Sequence, residues 1–177
     1  MAIFEETGIE GAFLIRPERI EDERGYFART WCRAEFSARH LETRLLQCST
    51  SFNKAKGTLR GMHYQAAPYG EVKLVRCTRG AIYDVILDLR RESSSFGRWQ
   101  AFELSAENGL MLYIPQQVAH GFQTLEDSSE VFYQISEIHV PSAARGVRYN
   151  DPAFEISWPQ PVTSISERDS SYSDYRK

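Results

Sequence analysis

The sequence predicts an all-β fold, a sandwich or a closed barrel, on three observations. From Leu45 to Ile135 the chain is a succession of short apolar-rich runs, most of them separated by Gly, Pro, Asn, Asp or Ser, the pattern of many short strands. A single segment, Arg33 to Leu41, has helical composition, with Ala34, Phe36, Ala38 and Leu41 near one face. No repeat, low-complexity linker or composition break divides the 177 residues, so residues 1–177 read as one domain with a sizeable core.

Taken in order, Ala12 to Ile15 is a short apolar run stopped by Pro17, hence a strand. Asp22-Glu23-Arg24-Gly25 is a polar turn, and Tyr26 to Trp31 a second strand. The helix Arg33–Leu41 follows, with His40 at its end, where a cation suits the C-terminal dipole. Eight further strands are expected over Leu45–Phe52, Gly57–Gln65, Val72–Thr78, Ala81–Leu89, Arg98–Leu104, Leu110–Ile114, Gly121–Leu125 and Glu130–Ile135. Arg79-Gly80 is a tight-turn candidate that would join two of these as a hairpin. Glu107-Asn108-Gly109 is another tight turn, since Asn-Gly readily takes positive φ. Pro141, Pro152, Pro159 and Pro161 leave little regular structure later on, and residues 170–177 read as a loose polar tail.

Apolar residues make up 42% and aromatics 12%, which excludes bulk disorder. Net charge is only -3 and scattered, so no basic face for nucleic acid is expected. The apolar runs are far too short to span a bilayer, and the acidic start MAIFEETGIEG does not read as a signal peptide. A cytoplasmic protein is the expectation. Cys32, Cys48 and Cys77 are odd in number and lack C-x-x-C spacing, so they read as small core or surface residues and not as a disulfide framework.

The chemistry concentrates on GTLRGMHYQ, Gly57 to Gln65, which reads as a pocket floor carrying a cation, Arg60, and a base, His63. Strict alternation puts these two on opposite faces because they are three apart; a bulge at Gly61 would bring them together. His120 sits in IPQQVAHGF and His139 in a polar stretch before Pro141; a lone histidine in a β-protein is usually structural. A metal held by His63 and His120 is rejected, because Tyr64 and Gln65 are poor replacements for the missing ligands. Val131, Tyr133 and Ile135 share one strand face, so Tyr133 is either a phenol in the pocket or a core tyrosine. Lys73 begins the set Lys73, Val75, Cys77; facing inward it needs an anionic partner, and otherwise it snorkels to water.

Together with EVKLVRCTRGAIYDVILDLR, SSSFGRWQAFELSAENGLMLYIPQQVAHGF, EVFYQIS, GVRYNDPAFEISWP and SERD, this stretch resembles the dTDP-4-dehydrorhamnose 3,5-epimerase family across most of Gly25 to Asp169. The resemblance implies a cupin-type jelly-roll β-barrel with few short helices and a homodimer; the short N-terminal strands, as edges that need pairing or cover, are expected at the contact. It also implies epimerisation at C3, C5 or both of a nucleotide-linked 4-keto-6-deoxyhexose, without metal or organic cofactor. His63 matches the family's base, Asp169 its partner and Tyr133 the general acid; Lys73 and His120 match residues around the 4-keto sugar. Arg60 matches a pyrophosphate ligand and Arg24, in DERGYF, an arginine that reaches the neighbouring subunit's site.

The departures lie away from that set. Arg29 and His139 stand where the family has a nucleoside-contacting glutamate and a base-stacking tyrosine, and Ala144 falls at about a second glutamate. Arg168 replaces a lysine, and a Gln-Asp-Asn element reads Gln47-Cys48-Ser49. A dTDP-linked substrate is favoured, with CDP- or GDP-linked sugars as alternatives, because arginine presents donors where glutamate presents acceptors. Two other activities compete. A 3,4-ketoisomerase would move the carbonyl, but its R-G-x-H-A-H pattern has a second histidine where this chain has Gln65. A silent sugar-binding cupin would lack the base or the acid, and His63, Tyr133 and Asp169 are all present.

Overall fold

The computed structural model of the chain describes residues 1–176. In chain order its elements are β1 (Ile3–Glu6), β2 (Phe13–Arg16), β3 (Arg19–Asp22), β4 (Gly25–Ala28), α1 (Arg33–Ser37), β5 (Gln47–Asn53), β6 (Leu59–Gln65), β7 (Lys73–Arg79), β8 (Ala81–Asp88), β9 (Trp99–Ser105), β10 (Met111–Ile114), β11 (Val118–Thr124), β12 (Ser129–Ile135), β13 (Ala144–Gly146) and α2 (Glu167–Ser170). One sheet has the order β1-β2-β10-β7-β12-β5, the other β13-β6-β11-β8-β9, and among the described residues β3 pairs only with β4. With two short helices among the described residues the chain is all-β, as its patterning predicts, and it forms the cupin-like barrel that the resemblance implies.

Alternation explains the layers. Val75, Cys77, Leu112, Ile114 and Val131 from the six-stranded sheet meet Ile82, Ile86, Leu104 and Phe122 from the other, forming the central core. The opposite residues on β7 and β10, Leu74, Met111 and Tyr113, are covered by Phe36 of α1 and partly by Phe4 and Trp31. Outside the five-stranded sheet, Val85, Leu87 and Ala119 are covered by Val147, Phe154 and Ile156. β8 is therefore buried on both faces, which accounts for its nearly unbroken apolar run.

The structure differs from the expectations in several places. α1 has five residues and ends at Ser37; His40 lies beyond it at φ 57, so the helix-dipole role expected for it is not realised. Leu41 N–H closes the turn on the Phe36 carbonyl at 3.0 Å, and Phe36 and Leu41 pack together against the sheet. Their spacing reported burial and not helix length. Arg79–Gly80 does not form a hairpin: β7 pairs with β10 and β12, whereas β8 pairs with β9 and β11. It is a corner between sheets, where Gly80 takes φ 71 and a Cβ would lie 2.5 Å from Ser129 Oγ. The Asn108–Gly109 turn also crosses between sheets, with Asn108 Oδ1 accepting from the Ser105 and Leu110 N–H groups.

β1, β3, β13 and α2 escape the sequence reading because three or four residues are too few for a period to show. The tail expected to be loose is anchored. Tyr175 N–H donates to Asp151 Oδ2 at 2.7 Å and its ring packs on Phe154, while Arg148 pairs with Asp174. Lys177 lies outside the described residues. Among the described residues no helix is long and apolar enough to cross a membrane.

Candidate active site

A cavity of about 690 Å³ opens between β5, β7 and β12 of one sheet and β6, β11 and β13 of the other, with Ser164 to Asp169 along its edge. Period 2 delivers Gln47, Ser49 and Ser51 from β5 and Tyr133 and Ile135 from β12.

β6 carries the irregularity that the site requires. His63 is opposite His120, but Arg60 is opposite Phe122, so three steps on β6 match two on β11. The extra residue is a bulge, and it brings Arg60 and His63 to the same cavity. Gly61 sits in it at φ 123, and a Cβ there would fall 2.4 Å from Gly121 Cα and 2.8 Å from the His120 carbonyl oxygen. Only glycine fits a backbone crossing this close. The Gly61–Met62 peptide is cis.

His63 Nε2 lies 2.6 Å from Asp169 Oδ1, while Asp169 Oδ2 accepts the Gly61 N–H at 3.1 Å. The bulge therefore also anchors the partner of the histidine. α2 exists to present Asp169: Ser166 caps it, its side chain accepting the Asp169 N–H at 3.1 Å. Burial works to raise the Asp169 carboxyl, but the hydrogen bond and charge of His63, with the Gly61 N–H, outweigh it and hold the group below the usual aspartate range. With Nε2 engaged, Nδ1 is the imidazole nitrogen left for a ligand, and no described residue bonds to it.

Lys73 is nearly buried and has the anionic partner that its inward face demands. Glu71 Oε1 lies 2.9 Å from Nζ, with side-chain exposures of 10% and 11%. Nζ also donates to the His63 carbonyl at 3.3 Å. Tyr133 stands on neighbouring β12, where Ile135 is opposite Lys73 and Tyr133 opposite Val75. Burial, then the nearby Asp84 carboxylate, pushes its phenol far above the ordinary range, so it stays protonated through neutral pH. Its ring meets His120 edge to face at 6.1 Å. His120 Nε2 is 2.8 Å from Asp84 Oδ2, both side chains being buried. Burial raises the Asp84 carboxyl and the His120 contact opposes that rise. Each histidine of the β6–β11 pair is thus held by a carboxylate, and no group of three or more His, Cys, Asp or Glu among the described residues is disposed to hold a metal ion.

At the outer part of the cavity Arg60 Nε donates to Asn53 Oδ1 at 2.7 Å. Gln47, His139 and Arg168 line the same cavity; Gln47 Oε1 accepts the His139 N–H at 2.8 Å. Gln65 fixes this end, donating to the carbonyls of Tyr69 and Ile138 and accepting from Val140 N–H. Arg24 and Arg29 do not join this cavity. Arg24 is 85% exposed at the β3–β4 turn, paired with Asp22, and Arg29 lies near Glu35 at 3.9 Å.

Glu71, Asp84 and Asn53 escaped the sequence reading, as did the hydrogen bonds of Gln65. Two of them left a signal. Glu71 stands two before Lys73 on the same face, and Asp84 is a lone acid within an apolar run, which requires a buried partner.

The family model for dTDP-4-dehydrorhamnose 3,5-epimerase matches residues 6–177. A dTDP-4-dehydrorhamnose 3,5-epimerase of Sinorhizobium fredii is 40% identical over 169 residues, covering 95% of this chain and 87% of that one. The crystal structure of the Bacillus anthracis enzyme of the same name, with TDP and PPi bound, superposes with a TM-score of 0.95 at 32% identity, covering 99% of this chain and 100% of that one. A 3'-monoepimerase from Streptomyces bikiniensis, in complex with dTDP-quinovose, gives a TM-score of 0.88 at 30% identity over 95% of this chain and 85% of that one.

Proposed function

The chain belongs to the dTDP-4-dehydrorhamnose 3,5-epimerase family, and we propose that it inverts C3, C5 or both of a dTDP-linked 4-keto-6-deoxyhexose through an enolate, without a cofactor. The observation that carries this is the arrangement of one cavity. The His63–Asp169 pair approaches from β6, and the protonated Tyr133 phenol and the Lys73 ammonium approach from the opposite sheet.

The C4 carbonyl acidifies the hydrogens on C3 and C5. His63 Nδ1 takes one of them, oriented by Asp169, and the electron pair of the C–H bond moves onto the C4 oxygen. Lys73 balances that oxyanion. Tyr133 then gives its proton to the carbon from the other side, and the ketone re-forms with the centre inverted. The phenolate regains a proton and His63 releases one, so nothing is oxidised or reduced. A second round at the other carbon uses the same carbonyl. Arg60, fixed by Asn53, serves the diphosphate, and Gln47, His139 and Arg168 serve the nucleotide beyond it.

The protein acts as a homodimer in this reading. Among the described residues the β3–β4 hairpin pairs with no other strand, and it exposes Ile20, Tyr26 and Phe27 at 64%, 54% and 65%. Covering it with a second copy would hide this surface and carry Arg24, with Arg29 nearby, toward the partner's cavity.

The test is incubation with dTDP-4-keto-6-deoxyglucose in deuterated water, with each carbon read by NMR. Deuterium at C3, C5 or both, with inversion and an unmoved carbonyl, is the expected result. A carbonyl moved to C3 would indicate a ketoisomerase, and no exchange with several 4-keto nucleotide sugars would remove the enzyme reading. Separate titrations with dTDP, CDP and GDP test the nucleotide, with dTDP expected to bind most tightly.

A further inference from the structure

Asp169 is not the only group that holds His63. β13 pairs with β6 so that Gly146 lies directly opposite His63, and directly opposite residues of an antiparallel pair project to the same face. A side chain at Gly146 would therefore stand beside the imidazole. Glycine leaves that place empty, and the ring of Tyr172 fills it. A Cβ built at Gly146 would lie 2.2 Å from Cε2 and Cζ of Tyr172. The Tyr172 ring meets the His63 ring edge to face, with centroids 6.4 Å apart and planes at 70°.

Tyr172 follows Asp169 by three residues, so one short segment supplies both the hydrogen-bond partner of the imidazole and its flank. The segment is fastened beyond that point. Arg148 Nη1 donates to the Tyr172 carbonyl at 3.3 Å, and Tyr175 N–H is bound by Asp151. The Tyr172 hydroxyl is buried without a hydrogen-bond partner among the described residues, and Tyr172 is not among the residues lining the cavity. The aromatic face, and not the hydroxyl, is what this side chain contributes.

We propose that Tyr172 is a positioning residue for His63, its ring lying in the space vacated by Gly146 and fixing the plane of the imidazole. The physical need is clear. A single hydrogen bond at Nε2 fixes the direction of that nitrogen but allows the ring to rock about the bond. Rocking swings Nδ1 away from the substrate carbon, and misplacement of a reacting group by about 1 Å costs about 10²-fold in rate. A ring packed against the imidazole removes that freedom. The inference rests on the reading of His63 as the base.

The test compares Tyr172→Ala, Tyr172→Phe and His63→Ala in the full chain, using the deuterium-exchange assay and the imidazole C2–H resonance of His63, assigned by its loss in His63→Ala. Tyr172→Ala is expected to lower kcat about 10- to 100-fold while KM stays within about twofold, and to shift the resonance as the ring current is lost. Tyr172→Phe is expected to restore both. Unchanged kcat in Tyr172→Ala would overturn the proposal. So would a Tyr172→Phe variant as impaired as Tyr172→Ala, which would assign the effect to the hydroxyl, or a rise in KM alone, which would assign it to binding. If Tyr172→Ala does not fold, Tyr172→Leu keeps an apolar side chain at this place without the flat ring and is judged by the same criteria. A His63→Ala protein that still exchanges would refute the base assignment itself, whatever Tyr172 does.

Discussion

Gly61→Ala is the most direct test of how the site is assembled. The new methyl carbon would lie 2.4 Å from Gly121 Cα and 2.8 Å from the His120 carbonyl oxygen, at φ 123. Both neighbours are backbone, so no side chain can swing aside. Holding an L-residue at such a φ costs about 1–3 kcal/mol, and forcing a methyl into a packed site costs about 1–3 kcal/mol more. For a chain of this size, that total of about 2–6 kcal/mol lowers Tm by about 5–20 °C. The bulge must also shift, and with it Arg60, His63 and the Gly61 N–H that Asp169 accepts. Exchange should fall about 10²-fold or more even at temperatures where the variant is folded. Scanning calorimetry gives the Tm, and NMR exchange at 10 °C below each variant's own Tm gives the rate. A Gly61→Ala protein with unchanged Tm and exchange would refute the reasoning that the bulge builds the site.

Three further outcomes follow from the same geometry. Asp169→Asn keeps the shape but removes the charge facing His63, so exchange should drop about 10²–10⁴-fold, whereas wild-type levels would show that the carboxylate is dispensable. Tyr133→Phe should leave proton abstraction by His63 intact, so deuterium enters with retention while inversion is lost; inversion at the normal rate would assign the acid elsewhere. Asp88 is held at a pKa of about 2: burial alone would raise it, but Arg90, Ser93 and Ser95 hydrogen bonds prevail. With its unfolded value near 3.8, this depressed carboxyl contributes about 2 kcal/mol of stability. That stability is present above pH 3.8 and lost as pH falls toward 2. Asp88→Asn should therefore lower urea stability at pH 7 and flatten its acid dependence, and an unchanged acid limb would contradict the assignment.

Much of the central barrel was readable because successive residues of a strand face opposite sides, so a face turned to the core recurs with a period of 2. Val75 and Cys77, or Val131 and Tyr133, project to one side wherever their strands sit. The short elements were not readable: β13 and α2 have three and four residues, and tertiary contacts hold them, not propensity. Arg33–Leu41 shows the converse, since apolar spacing meant for packing on the sheet imitated a longer helix.

The sequence by itself determined the class of fold, because strand periodicity is a property of residues; the reacting groups proposed above came from its resemblance to a family. It also carried the conflict between Arg60 and His63, three apart on one strand. Only the tertiary structure decided how that conflict is resolved. Gly61 becomes a bulge because β11 crosses it too closely for any side chain. Tertiary contact pairs His120 with Asp84 and brings Asp169 across 106 residues to His63. Separation along the chain does not encode those pairings; the strand pairing and the closing of the two sheets over one cavity bring the partners together.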